Sequence, residues 1–114
     1  MKKLEAQCPV EATVNLIGGK WKLVILYQLA THGIKRFNEL RRVFPDITQR
    51  TLTRQLRELE NDDLVHRKIY TEIPPKVEYS LTETGKSLIP LLMLLSNWGE
   101  SYLEREAGRE QELV

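Results

Sequence analysis

The sequence contains one cysteine, Cys8, in 114 residues. A lone thiol closes no disulfide within the chain and builds no cysteine-based zinc site. The two histidines, His32 and His66, stand far apart and in no ligand spacing, so neither a metal nor a cofactor is expected. No motif sets a histidine beside a nucleophile and an orienting acid, as a catalytic triad requires. Gly18-Gly19-Lys20 lacks the spacing and the Ser/Thr of a phosphate-binding loop. The enzyme class is therefore disfavoured. There is no apolar run of about 18 residues, so no transmembrane helix and no membrane partner are expected. Behind Lys2 and Lys3 the start of the chain has no apolar stretch. That argues against a secretory signal and for a cytoplasmic protein. Repeats, linkers and low-complexity tracts are absent too.

What remains reads as one folded domain spanning 1–114, with 41% hydrophobic and 29% charged residues. The net charge is only +1, so only the placement of charge is informative. Pro9 suits the first turn of a helix. Val10, Val14 and Ile17 share a face, and Gly18-Gly19 ends it. A second helix is expected from about Lys20 to Ala30 with Trp21, Val24, Ile25 and Leu29 as its apolar stripe, stopped at His32-Gly33. A short third helix carries Phe37, Leu40 and Phe44 and breaks at Pro45-Asp46. Thr48 is a good N-cap for a fourth helix running to about Asn61. Leu52, Leu56 and Leu59 form its inner stripe, while Arg50, Thr53, Arg54 and Arg57 share the opposite face.

The period then changes to that of a strand. Val65, Ile69 and Tyr70 precede Pro74-Pro75, and Val77, Tyr79 and Leu81 alternate after it, which predicts a β-hairpin with a proline-stiffened tip. Thr82 can cap a last helix carrying Leu88, Leu91, Leu92, Leu95, Trp98 and Tyr102. Pro90 should kink or break it by freeing the carbonyl of Lys86. The polar tail after Leu103 is expected to fray. The fold class is thus mainly α with a small β-hairpin (α+β), in the layout of a winged helix-turn-helix. The helix-turn-helix covers about 36–61 and the wing about 64–82.

Between Lys35 and Arg57 seven basic residues face two acids, and between Glu100 and Val114 five acids face two arginines. The near-zero total hides a basic helix-turn-helix and an acidic tail, and such a basic stripe is the footprint of a polyanion partner. A merely solvated arginine face is the plainer reading. Against it, Arg50, Arg54 and Arg57 have few acids at i±4. Gln49, Thr53 and Gln55 among them are residue types that hydrogen-bond base edges or phosphates.

These residues resemble the HxlR-type family of bacterial winged-helix regulators, relatives of the MarR-like proteins. The resemblance is carried by Cys8-Pro-Val-Glu-Ala-Thr13, Leu16-Ile-Gly-Gly-Lys-Trp-Lys22, Lys35-Arg-Phe-Asn-Glu-Leu40, the stretch Ile47–Glu60, and Glu72–Thr82. It covers roughly Cys8 to Tyr102. It implies a homodimer on a pseudo-palindromic double-stranded DNA operator, a recognition helix over Thr48–Glu60 and a wing tip at Pro74–Lys76. It also implies an interface from the first and last helices, about 9–18 and 83–106, with Leu88, Leu92, Leu95, Trp98 and Tyr102 on the partner side. Trp21 and the aromatic residues of the last helix add apolar surface that a second subunit would bury.

On this reading Arg50, Thr53 and Arg54 contact base edges, and Gln49 contacts a base or a phosphate. Arg36, Asn38, Thr48 and Arg57 hold phosphates, and Lys76 reaches the minor groove or its flanking phosphates. A repressor is expected, since no domain is spare to recruit polymerase. Cys8 is either a small buried hydrophobe or a reactive thiol at a positive helix end, which Lys2 and Lys3 could reinforce. Some relatives use an N-terminal cysteine as a switch for oxidants or electrophiles, and a small apolar ligand is the competing effector. A winged-helix module that binds protein instead of DNA is the rival class.

Overall fold

The computed structural model describes residues 8–113, and their side chains as far as residue 109; Lys2 and Lys3 lie outside the described residues. Cys8 is the extended N-cap of α1 (Pro9–Ile17), and the N–H of Gly18 closes it on Val14 O at 2.7 Å. Helix α2 (Lys22–His32) starts later than its pattern suggests, because Trp21 occupies the N-cap, and it runs past Ala30. It ends where Gly33 adopts φ 75°, a conformation that suits glycine, with its N–H on Leu29 O. Helix α3 (Phe37–Val43) follows, with the Glu39 carboxylate accepting the Arg36 N–H at 2.8 Å. Helix α4 (Gln49–Asn61) begins as expected, Thr48 Oγ1 accepting the N–H of Thr51 at 3.1 Å.

The hairpin is β2 (Val65–Tyr70) and β3 (Lys76–Leu81), antiparallel, with Val65 opposite Leu81 and Tyr70 opposite Lys76. Sequence pattern misses a third strand, β1 (Lys35–Arg36), which pairs with β3 and makes it the central strand of a three-stranded sheet. Two residues are too few to show a period of two. Pro90 marks a break. Thr82 caps only the four-residue α5 (Glu83–Lys86), accepting from Gly85 N–H at 2.9 Å, and α6 (Ile89–Leu113) starts afresh with Pro90 in its first turn.

Helix α6 also corrects the expected fraying, since it continues well beyond Leu103. Glu, Arg, Ala and Gln are strong helix formers, and Arg109 pairs with Glu106 one turn back at 3.5 Å. At 25 residues α6 is about 37 Å long. The radius of gyration, 16.8 Å, exceeds the roughly 13 Å of a compact chain this size.

One core joins these elements. Ile25, Leu26 and Leu29 of α2 meet Leu40 of α3, Leu52, Leu56 and Leu59 of α4, Val65 and Leu81 of the sheet, and Leu92 of α6. Each such side chain contributes about 1.5–3 kcal/mol on burial. Trp21 packs against this core, partly buried and edge-on to Phe44 with centroids 6.0 Å apart, so part of its surface is already used within the domain. The inner stripe of α4 faces the core and thereby turns its arginines outward.

Candidate nucleic-acid interface

Arg50, Arg54 and Arg57 are exposed on α4. Among the described residues, Arg50, Arg57, Arg36, Arg41 and Arg42 have no acid within ion-pair distance, and Arg54 only approaches Glu58 at 4.0 Å. Pairing within the domain therefore does not account for this charge. The first turn of α4 adds the positive end of a helix dipole. Thr48 and Thr53 are more constrained. Thr48 Oγ1 caps the helix and donates to Thr51 Oγ1 at 2.9 Å, while Thr53 Oγ1 donates to Gln49 O at 2.8 Å. Their remaining capacity toward DNA is as acceptors and, through the methyl groups, as apolar contacts.

Two adjacent grooves flank the wing, sharing Phe37 and Val77. One, about 260 Å³, lies between α4 and the sheet and gathers Gln49, Thr53, Arg57, Arg67 and Tyr79. The other, about 480 Å³, lies between the start of α3 and the wing and gathers Arg36, Asn38, Arg42 and Lys76. Arg50 and Arg54 line neither groove.

Lys76 does not extend freely from the wing tip. It lies over the Tyr70 ring at 4.7 Å and pairs with Glu78 at 3.5 Å. The Tyr70 hydroxyl donates to Glu78 Oε1 at 2.8 Å, and this bond, ahead of Lys76 and Arg36, holds the Glu78 carboxyl below the usual range. Register places Arg36, Glu78 and Lys68 side by side across the sheet. Lys68 and Arg67 were missed by motif reading, although alternation along β2 would have set Lys68 on the face of Tyr70. Desolvation pushes the half-buried Tyr79 phenol up.

A second surface is apolar. Val10 and Val14 of α1, Val24 of α2 and Leu94, Leu95, Trp98, Tyr102 and Leu103 of α6 are all exposed. Of the residues expected at an interface, Leu92 is only 2% exposed and packs in its own core, and Leu88 lies half-buried against that core. Leu95, Trp98 and Tyr102 keep their surface. Cys8, just before Pro9 and Val10, is exposed in the single chain, so it is not buried within its own subunit. The backbone N–H groups of Glu11, then of Val10, at the open start of α1 hold its thiol below the ordinary value, although no side-chain capping hydrogen bond is formed. His32 and His66 are exposed and lie on neither groove.

An exposed guanidinium row on the second helix of a helix-turn-helix, in which Arg50 and Arg57 have no ion-pair partner among the described residues, with a wing beside it, marks a DNA-binding transcriptional regulator of the winged-helix class. Comparison with known proteins gives the family: the chain belongs to the HxlR-like helix-turn-helix family, whose model matches residues 16–107. It is 55% identical over 109 residues to the HTH-type transcriptional regulator YdeP of Bacillus subtilis, covering 92% of this chain and 84% of that protein.

Among solved structures it is similar to the redox regulator HypR in two states. The oxidized form has TM-score 0.78 and 58% identity over 82% of this chain and 96% of that one. The reduced form has TM-score 0.82 and 53% identity over 89% and 99%. Diamide-treated YodB from B. subtilis is more distant, at TM-score 0.68 and 34% identity over 85% and 96%. Among the described residues no helix is long and apolar enough to cross a membrane.

Proposed function

We propose that the protein is a cytoplasmic, non-catalytic repressor that binds a pseudo-palindromic operator as a homodimer and is released by modification of Cys8. The observation that carries the DNA half of this reading is the exposed arginine row on α4, where Arg50 and Arg57 have no ion-pair partner among the described residues and Arg54 is only loosely held by Glu58 at 4.0 Å. In a two-fold dimer, two copies of α4 enter successive major grooves about 34 Å apart. Arg50, Thr53 and Arg54 face base edges, and Gln49 a base or a phosphate. Arg57, Arg36, Asn38 and the N-terminus of α4 at Thr48 hold the backbone, and Lys76 with the wing reaches the flanking phosphates or minor groove.

The apolar face of α1, α2 and α6 supports the dimer, with Leu95, Trp98 and Tyr102 from α6 and Val10 and Val14 from α1 as its centre. Exposed apolar patches of this extent on a small domain mark interaction surfaces. Cys8 connects this face to a signal. Its thiolate can add to an electrophilic carbon, displace a thiolate from a disulfide, or add to the N=N bond of an azo oxidant such as diamide, from which a second thiolate displaces the reduced hydrazine derivative to leave a disulfide. The adduct then sits at the N-terminus of α1, beside Pro9 and Val10, which line the apolar groove facing Leu91 and Leu95. With one thiol per chain, a bridge must involve another molecule or another subunit. The solved states of HypR and YodB support a thiol signal in such proteins.

A second reading has a specific observation behind it. The groove of about 460 Å³ between α1, α2 and α6 is lined mostly by apolar side chains, and a small apolar ligand there would act on the same face. One experiment separates the two signals. Operator complexes of wild type and Cys8→Ser are treated with diamide in an electrophoretic mobility assay, with stoichiometry set by sedimentation. The thiol reading requires two chains per duplex, release of wild type and retention of Cys8→Ser. Release of both proteins alike would overturn it.

A further inference from the structure

The first residue of α2, Lys22, breaks two local rules. A lysine at a helix N-terminus opposes the helix dipole, and no acid stands in the first turn of α2 to offset it. Its side chain is also only 11% exposed, although lysine is among the residues least often buried. What compensates is Glu58 on α4, whose Oε1 lies 2.7 Å from Lys22 Nζ. The other oxygen, Oε2, is 4.0 Å from Nε of Arg54, one turn earlier on the same helix. On an isolated helix a carboxylate at i+4 holds an arginine along the helix surface. Here the carboxylate is drawn toward α2, and the Arg54 side chain stays 61% exposed.

We infer that Lys22 is a positioning residue for DNA recognition: by taking the Glu58 carboxylate it leaves the Arg54 guanidinium free to meet a base. This rests on the reading of Arg54 as a base contact. The contact with Lys22 is also the leading cause that holds the Glu58 carboxyl below its usual range, and Arg54 contributes least. Without Lys22, Glu58 has one cationic neighbour left within ion-pair distance among the described residues, and that neighbour is Arg54. Each DNA encounter would then have to break that pair and bring an uncompensated carboxylate toward phosphates. Lys22 and Glu58 lie in two separate stretches of the resemblance, but their pairing has no sequence signal, since they are 36 residues apart and meet only when α2 packs on α4.

The test measures operator affinity by anisotropy for Arg54→Ala, Lys22→Met, Glu58→Gln and the Lys22→Met/Glu58→Gln double variant, each with a thermal melt. Arg54→Ala first identifies the base pair at which discrimination is lost. Lys22→Met is expected to weaken operator binding about three- to tenfold, part of what losing an arginine–base contact costs. The loss should vanish on a duplex altered at that base pair. The double variant should regain wild-type affinity, because an uncharged glutamine no longer competes for Arg54.

Wild-type affinity in Lys22→Met would overturn the inference. So would an equal loss on every duplex that Glu58→Gln does not rescue, which would make Lys22 a structural strut. Should Lys22→Met not fold, Lys22→Gln carries the same test and Lys22→Arg should bind as wild type. Unchanged affinity and preference in Arg54→Ala would instead refute the assignment of Arg54 itself.

Discussion

Trp98 and Tyr102, one turn apart on α6, stack with ring centroids 5.4 Å apart and planes 9° from parallel, both on the exposed side of the helix. Leu92, on the same helix, is buried at 2%. Helix α6 thus presents one side to its own core and another outward, and the two should respond differently to substitution. On the proposed homodimer, Trp98→Ala is expected to shift the protein toward monomer in sedimentation velocity while leaving the fold intact. Leu92→Ala should instead cost about 2–5 kcal/mol in a denaturant melt through the cavity it leaves. A Trp98→Ala protein with an unchanged dimer dissociation constant would contradict the assignment of this face.

Gly85 in α5 sits where a Cβ would collide with the Leu64 carbonyl oxygen. That carbonyl accepts the N–H of Thr82 at 3.1 Å and so ties the end of the wing to the turn after α4. The backbone at Leu64 cannot move without losing this bond. Gly85→Ala is therefore expected to destabilise the domain by about 1–3 kcal/mol, as overpacking does. Chemical denaturation checks this, and an unchanged midpoint would contradict it.

The Lys22–Glu58 pair gives a pH signature. Glu58 titrates lower in the folded protein than its ordinary value of about 4.3. Its contribution to stability is fully present above that value and is lost as pH falls through the folded-state pKa. The difference in Tm between wild type and Glu58→Gln should therefore be constant from neutral pH to about pH 5 and shrink below about pH 4. A difference that stays constant down to pH 3 would show that the pair does not titrate this way.

Cys8 should alkylate as a partly ionised thiol. Its rate with iodoacetamide is expected to reach half-maximum below the ordinary thiol pKa of about 8.5, because the backbone at Glu11 and Val10 favours the thiolate. A midpoint at or above that value would remove the physical basis for a thiol signal.

Much of the fold was legible because strong local signals agree. Thr48 as cap, Leu52, Leu56 and Leu59 at helical spacing, and Val77, Tyr79 and Leu81 in alternation are each backed by the structure. The outward face of α4 followed from the same spacing. What was not legible depends on distant partners or on very short elements. The two-residue β1 exists only because β3 lies beside it. Trp21 read as apolar surface, and its contact with Phe44, 23 residues on, uses part of that surface. Lys76 read as a wing-tip cation reaching toward DNA, yet Tyr70, opposite it across the hairpin, and Glu78, two residues along its own strand, hold it back. The Lys22–Glu58 contact has no sequence period at all.

The central claim, that the arginine face of α4 reads a specific DNA sequence, is tested most directly by fluorescence anisotropy of the reduced protein. One labelled duplex carries the DNA upstream of its own gene and the other a scrambled sequence, each measured at two salt concentrations. The account predicts tight binding to the first duplex. The affinity should fall with salt at a slope near −0.9 per phosphate neutralised, about what counterion release gives for B-DNA. No binding to either duplex at low salt would contradict it and favour a protein-binding module.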